Sequence, residues 1–290
     1  MSLTNTNKHI VITAYSRAEF QTALKKQVPV GSIIGLVPTM GALHEGHASL
    51  VRTAKQTSDF VIVTVFVNPT QFTNLDDLTN YPKTEEKDIE LLKKIGCDLV
   101  FFPKINDIYP DDYQFPGIDL GFLDQTMEGE LRPGHFQGVC QVVYRLFQLT
   151  NPTKAYFGLK DFQQVSVIQF MVDYFQLPIE IIPCETSRNK EGLALSSRNF
   201  RLSEEQKEEA IVLYKTLSEA KSNAIKLTPS DVKSLAEECI RKSALKLEYV
   251  EIVNPITLEN LTNEWRAHAR MCIVAYAGEV RLIDNMEIRE

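Results

Sequence analysis

The five cysteines, Cys97, Cys140, Cys184, Cys239 and Cys272, are scattered, odd in number and never in a C-x-x-C spacing. Their placement gives no support for a zinc ribbon or a dithiol redox centre and leaves five thiols in an intracellular setting. Basic runs are missing too: no five consecutive residues are Lys or Arg, and 31 basic against 38 acidic residues leave a formal net charge of −7. A chain of that balance, with no stripe of basic and aromatic residues, has little for a nucleic-acid backbone or an anionic membrane, so any polyanion site must be local. No stretch approaches the roughly 18 consecutive apolar residues of a membrane span. Residues 1–9 are polar, without the apolar centre of a targeting signal. Neither low-complexity segments nor a repeat of fixed period is present. The expectation is a soluble, cytoplasmic protein with no nucleic-acid and no membrane partner.

What is there is enough chain for two domains: 290 residues, 44% of them hydrophobic, against a usual single domain of roughly 100 to 200 residues. Ser16 with Glu19 makes a capping-box pair, opening a helix through Phe20, Leu24 and Val28 that closes near Pro29. A strand fits residues 32–37 and a helix residues 48–57, and the β-branched and aromatic run at 61–67 suits a buried parallel strand. The alternation continues with a helix over 84–95 stopped by Gly96, a strand over 99–102, a helix over 138–150, a strand over 155–157 and a helix opened by Asp161 and Gln164. This order predicts an α/β fold with a doubly wound parallel sheet, right-handed crossovers and ligands beyond the carboxyl ends of the strands. Residues 111–125, rich in Pro, Asp and Gly, read as loop with irregular strand. From residue 187 two helices, capped by Ser203 with Gln206 and by Thr228 with Pro229, precede strands near 247–253, 270–276 and 280–283. A first domain over 1–186 and a second, smaller α+β domain over 187–290 are therefore expected.

Four clusters carry candidate chemistry. His44-Glu45-Gly46-His47 follows a buried strand and a Pro-Thr-Met-Gly turn, where a helix should begin. Spacing of three puts both imidazoles on one face, and the N–H groups and dipole of the helix start already favour an anion, so the pair suits a triphosphate. Gly41 and Gly46 let backbone approach a nucleotide closely. Leu195-Ser196-Ser197-Arg198 offers two hydroxyls and a guanidinium for phosphate oxygens. Gly158-Leu159-Lys160-Asp161 offers an ammonium for a phosphate and a carboxylate for ribose hydroxyls, with Gln164 facing the same crevice. Asn68 and Gln71, in Asn-Pro-Thr-Gln-Phe after the strongest strand, are amides that bind a small acid without neutralising a carboxylate that must attack phosphorus. Each cluster also has a plain structural reading: a surface turn with two histidines, a capped loop, a helix cap at Asp161, a simple turn after Asn68. His135, in Arg-Pro-Gly-His-Phe, reads as structural.

Taken together, VPTMGALHEGH, FVNPTQF, EGELRPGHF, FGLKDFQQ, GLALSSRN and RLIDN, collinear from Val37 to Asn285, resemble the successive signatures of the pantothenate synthetase family, within the broader H-x-G-H nucleotidyltransferases. The resemblance implies a Rossmann-like first domain of that type. It also implies an activity: (R)-pantoate attacks the α-phosphorus of Mg-ATP to give pantoyl-adenylate and pyrophosphate, and β-alanine then displaces AMP to form pantothenate. ATP contacts are implied for Met40, Gly41, Ala42, Leu43, His44, Glu45, Gly46 and His47, for Gly158, Leu159, Lys160 and Asp161, for Ser187, and for Leu195, Ser196, Ser197 and Arg198. Pantoate contacts are implied for Gln71 and Gln164, with Asn68 and Met40 beside them, and Gln71 matches the β-alanine position as well.

His47, with His44 and Lys160, is the expected catalytic group. The family gives His47 a proton-donor role, although orientation and charge stabilisation should outweigh proton transfer to a pyrophosphate leaving group. Magnesium prefers oxygen ligands and enters on the phosphates, so no protein-held metal is expected. The second domain would act as a lid over the phosphates, and a homodimer is implied. One departure is Leu159, where the family's FGEKD pattern has an acid. The competing reading is a nucleotidyltransferase that adenylylates a different small acid or a phosphate ester; the amide-lined NPTQF turn favours an acid.

Overall fold

An uninterrupted run such as FVIVTV can be buried on both faces only inside a sheet covered by helices. That is where the computed structural model, which describes residues 10–290, places it. The expectation for residues 1–9 lies outside the described residues. In chain order the elements are β1 (Ile12–Ala14), α1 (Arg17–Gln27), β2 (Ile34–Thr39), α2 (Glu45–Thr57), β3 (Phe60–Val65), α3 (Leu75–Thr79), α4 (Glu85–Ile95), β4 (Leu99–Phe101), α5 (Ile105–Ile108) and α6 (Glu128–Leu131). They continue with α7 (His135–Thr150), β5 (Lys154–Gly158), α8 (Phe162–Tyr174), β6 (Glu180–Cys184), α9 (Glu204–Asn223), α10 (Pro229–Arg241), β7 (Lys246–Val253), β8 (Arg270–Ala277) and β9 (Val280–Glu287). Two compact units divide the chain, each assembled from separated stretches. The first takes residues up to Gly117, Gln137–Phe157 and Gln176–Cys184; the second takes Ile118–Phe136, Gly158–Phe175 and Glu185–Glu290.

In the first unit the strand order is β1-β4-β3-β2-β5-β6, and the pairs β1–β4, β4–β3, β3–β2 and β2–β5 are all parallel. The chain winds outward from β2 through β3 and β4 and then returns to β5 on the other side, so the order reverses between β2 and β5. That reversal is the switch point of a doubly wound sheet. Val37, Val63 and Val100 stand in register across three strands, and all are 0% exposed. Burying each such side chain contributes about 1.5–3 kcal/mol. Helix α2 presents Leu50, Val51 and Ala54 at helical spacing to the same core. Ser16 caps α1 by accepting from the Glu19 N–H, and Gly96, at φ +80, ends α4 in the left-handed conformation.

The second unit is built on the antiparallel sheet β7-β8-β9, with α9 and α10 packed on it. Capping boxes at Ser203 with Gln206 and at Thr228 with Asp231 start the two helices. Apolar residues of the helices (Leu213, Leu217, Val232, Ile240) and of the strands (Val250, Ile252, Met271, Ile273) close one core. Within this unit, residues 118–136 and 158–175 are tied to each other by Gln163, a buried amide. Its Nε2 donates to the carbonyls of Leu123 and Thr126, and its Oε1 accepts from the Glu128 N–H. Among the described residues no helix is long and apolar enough to cross a membrane.

Candidate active site

The loop leaving β2 is forced into shape by its own sequence and by one distant carboxylate. Gly41 has φ +86, and a Cβ there would meet Val65 Cγ1 at 3.0 Å and Asp88 Oδ2 at 3.2 Å. Glycine is needed for this backbone itself, in addition to any approach of a ligand. Ala42 follows at φ +50, a conformation that an L residue keeps only when its surroundings hold it. Here the holder is Asp88, 2% exposed on α4, whose carboxylate accepts from the N–H groups of Ala42 (3.1 Å) and Leu43 (2.8 Å) and from the Thr84 hydroxyl (3.0 Å). Burial raises the Asp88 pKa, and those hydrogen bonds counter it in part.

His44 and His47 then cap α2 reciprocally. His44 Nδ1 accepts from the Gly46 N–H at 3.1 Å, and His47 Nδ1 accepts from the His44 N–H at 3.3 Å. Their ring centroids lie 4.1 Å apart. A neutral imidazole that accepts at Nδ1 carries its proton on Nε2, so the capping box sets the tautomer and makes each ring an Nε2–H donor. Two such donors at a helix N-terminus form an anion site. Glu45 does not point its carboxylate into that chemistry: it is exposed and pairs with Arg52, which leaves its backbone as the contribution of this position. Met40 is half-buried, with its Sδ at 3.5 Å from Gln71 Nε2.

Asn68 is 1% exposed and uses its whole amide internally. Its Nδ2 donates to Gln71 Oε1 and to the Gly138 carbonyl, both at 3.1 Å, and its Oδ1 accepts from the Thr70 and Tyr109 hydroxyls. With both protons and both lone pairs engaged, Asn68 orients Gln71 rather than reaching a ligand. Helix α7 comes so close to this turn that a Cβ on Gly138 would lie 2.3 Å from the Thr70 carbonyl oxygen.

In the second unit, Leu159–Asp161 forms a 3-10 turn leading into α8. Asp161 occupies the N-cap position but makes no side-chain capping bond, so capping does not use up its carboxylate. Lys160, its side chain 17% exposed, has Nζ 4.0 Å from Asp161 Oδ1. Burial lowers the Arg132 pKa, Glu128 opposes that, and Arg198 and Arg281 reinforce it, while Asp161 is also close enough to act on it. Arg132 and Arg198 therefore lie close enough to repel each other, whereas Arg281 is paired with carboxylates. Ser196 caps the turn Ser197–Arg201, its Oγ accepting from the Arg198 N–H at 3.2 Å, which leaves its own O–H able to donate. The Ser187 carbonyl accepts from the Leu195 N–H, joining those two candidate positions. Gln164 is half-buried on α8, and Gly158 has nothing within 4 Å of where a Cβ would be. His135, 6% exposed, has Nε2 3.2 Å from Arg132 Nη1.

Two supports escaped the sequence reading. Asp88 lies more than forty positions from the loop it holds, inside a helix whose charges otherwise read as solvated. The other is an ion-pair network in which Arg281 makes two 2.8 Å bonds to Glu128 and also pairs with Glu248, while the Tyr249 hydroxyl donates to Glu128. Burial alone would raise the Glu128 pKa, but Arg281 brings the net value below the usual carboxylate range. The charges of EGELRPGHF and RLIDN were the available signal, without a way to pair them.

Among known proteins, the family model described as pantoate-beta-alanine ligase matches residues 12–287. The pantothenate synthetase of Phocaeicola vulgatus is 46% identical over 280 residues, covering 93% of this chain and 97% of that protein. The crystal structure of pantothenate synthetase from Thermus thermophilus superposes with a TM-score of 0.90 at 40% identity, covering 97% of this chain and 100% of the other. That of the Francisella tularensis pantoate-beta-alanine ligase, complexed with β-γ ATP and β-alanine, gives a TM-score of 0.79 at 35% identity, covering 96% and 98%. With a family model spanning nearly its whole length and relatives aligned end to end in sequence and in fold, this chain belongs to the pantoate-beta-alanine ligase family.

Proposed function

We propose that this chain joins (R)-pantoate to β-alanine with ATP through a pantoyl-adenylate, and that its loops divide the work as follows. A pantoate carboxylate oxygen attacks the α-phosphorus, the bond from that phosphorus to the bridging oxygen breaks, and pyrophosphate leaves with the electron pair. The neutral β-alanine amine then attacks the acyl carbon, the acyl C–O bond breaks, AMP leaves and the amine sheds its proton. The observation that carries the reading is the reciprocal capping of His44 and His47, which commits two Nε2–H donors to the start of α2. Such donors stabilise charge building on phosphate oxygens without any rearrangement during reaction. General acid catalysis typically adds about 10²- to 10⁴-fold, whereas correct positioning removes roughly 7 to 11 kcal/mol. His47 therefore acts chiefly as an oriented hydrogen-bond donor.

The backbone of Met40 to Leu43 and of Glu45 and Gly46 borders the nucleotide, and Gln71, oriented by Asn68, receives pantoate and then β-alanine. From the second unit, Lys160, Ser196, Ser197 and Arg198 meet phosphate oxygens, Asp161 the ribose, and Gln164 pantoate, with Gly158, Leu159, Ser187 and Leu195 contributing main chain. Leu159 is compatible with this, because its carbonyl is what the fold uses. ATP use is supported by the Francisella complex. Magnesium arrives as part of the Mg-ATP substrate, because it prefers oxygen ligands and enters on the phosphates. The same reading holds the protein to be cytoplasmic and a homodimer, and its mass in solution tests the dimer.

Pantoate-dependent exchange of pyrophosphate into ATP tests the proposal. Exchange in the wild type, slowed severely but still measurable in His47→Ala and in Lys160→Ala with folding intact, is the expected result. Exchange that ignores pantoate, or wild-type rates in both variants, contradicts it.

A further inference from the structure

Apart from Arg281, the RLIDN stretch is left without a task by the roles above, yet two of its residues are among the few buried polar groups. Asp284 and Asn285, on β9, are 4% and 5% exposed. Asn285 Nδ2 donates to the carbonyls of Leu159 (2.8 Å) and Lys160 (2.9 Å), using both amide protons. Its Oδ1 accepts from Arg270 Nη1 at 2.7 Å, which fixes which way the amide faces. The same Arg270 lays its guanidinium 4.9 Å from the centroid of the Phe162 ring, at the start of α8.

The two carbonyls held by Asn285 belong to the peptide planes on either side of the Lys160 Cα. Pinning both planes sets φ and ψ of Lys160 and hence the direction in which its side chain leaves the backbone. Its neighbour does the equivalent for a second loop. Asp284 takes Arg188 in a bidentate pair at 2.6 and 2.8 Å, and Arg188 also donates to the Gly192 carbonyl and covers the Tyr214 ring. Arg188 bridges Ala194 and adjoins Ser187, so this pair braces the hairpin that runs into Leu195 and Ser196. Asp284 further accepts from the Asn285 N–H at 2.8 Å, which locks the two residues together.

We infer that Asp284 and Asn285 form one positioning unit for the phosphate-binding side chains of the second unit, with Asn285 acting through Lys160. The inference rests on the Lys160 role proposed above. It separates from a merely structural role in one respect: the effect of Asn285 on adenylate formation should vanish once Lys160 has no ammonium to place.

A double-mutant cycle in pantoate-dependent pyrophosphate exchange measures this. Asn285→Asp keeps the acceptor for Arg270 and sets a carboxylate against two carbonyls, and Asn285→Ser removes the reach. Both are carried through, so that one variant failing to fold leaves the other to decide, with thermal unfolding recorded for each. In the wild-type background either folded variant should slow exchange about 10- to 100-fold, the scale of a 1 Å misplacement, with the KM for pantoate unchanged. In Lys160→Ala the same substitutions should change nothing further. An equal slowing in both backgrounds, or no slowing in the wild type, overturns the Asn285 role. Lys160→Ala exchanging at the wild-type rate instead overturns the Lys160 role beneath it.

Discussion

Replacing Asp88 by alanine should disable the loop after β2 while leaving the sheet in place. The carboxylate accepts from two main-chain N–H groups and a hydroxyl, and is 2% exposed. Alanine brings no acceptor. A buried donor left unpaired costs about 1–3 kcal/mol, so the two N–H groups alone put about 2–6 kcal/mol at stake if the loop stays where it is. The chain can evade that cost by turning these groups toward water. Ala42 then also escapes its left-handed conformation, relieving strain on the order of 1–3 kcal/mol. Relaxation therefore limits the loss of stability and transfers the damage to geometry, because His44 and His47 begin directly after this turn. Displacing them by about 1 Å should slow adenylate formation roughly 10²-fold. Thermal unfolding and pantoate-dependent pyrophosphate exchange, measured on the same preparation, read both effects. A variant that melts and exchanges like the wild type would refute the reasoning.

Three further outcomes follow from particular contacts. Because burial raises the Asp88 pKa above its ordinary 3.8, its contribution to stability is present below that value and lost as pH rises through the higher folded-state value. Stability of the wild type relative to Asp88→Asn should therefore fall across that window in denaturant titrations, and a difference that does not vary with pH contradicts the shift. Gln71→Ala should raise the KM for pantoate about ten- to hundredfold, the equivalent of one charge-assisted bond of about 1.5–3 kcal/mol; unchanged KM and turnover would remove Gln71 from the binding site. Asn68→Asp keeps the acceptor used by Thr70 and Tyr109 and loses both donors. It should reproduce the Gln71→Ala phenotype and add little to it in the double variant, and full additivity would show that Asn68 does not act through Gln71.

What could be read in the sequence was what lies close together along it. The N-caps at Ser16, Ser203 and Thr228, the glycine stop at Gly96 and the run FVIVTV each state their structure within a few residues, and each is found in place, although at Ser16 the Glu19 carboxylate takes the Tyr15 N–H instead of closing a capping box. Short edge strands say too little: β1 has three residues, and β6 carries Pro183. Helix α7 begins at His135, ahead of the expected Gly138, because Gly134 at φ +80 turns the chain into it. The histidine pair was visible as spacing, but not that each ring accepts at Nδ1 from a main-chain N–H at the start of α2, which is what fixes the tautomer. Asn68 looked like a ligand group, since an amide after a strand shows neither of the hydroxyls that saturate it. Asp88 and Asn285 act across 45 and 126 positions, a distance at which residue type carries no information about partners.

The acyl-adenylate is tested most directly by following an oxygen atom. Pantoate enriched with heavy oxygen in its carboxylate is turned over with ATP and β-alanine, and the nucleotide product is examined by mass spectrometry. If the carboxylate attacks the α-phosphorus, the bridging oxygen stays with phosphorus when the amine displaces it, so AMP must carry one labelled oxygen from each fully labelled pantoate. Unlabelled AMP, or ADP formed beside labelled inorganic phosphate, would contradict adenylate formation.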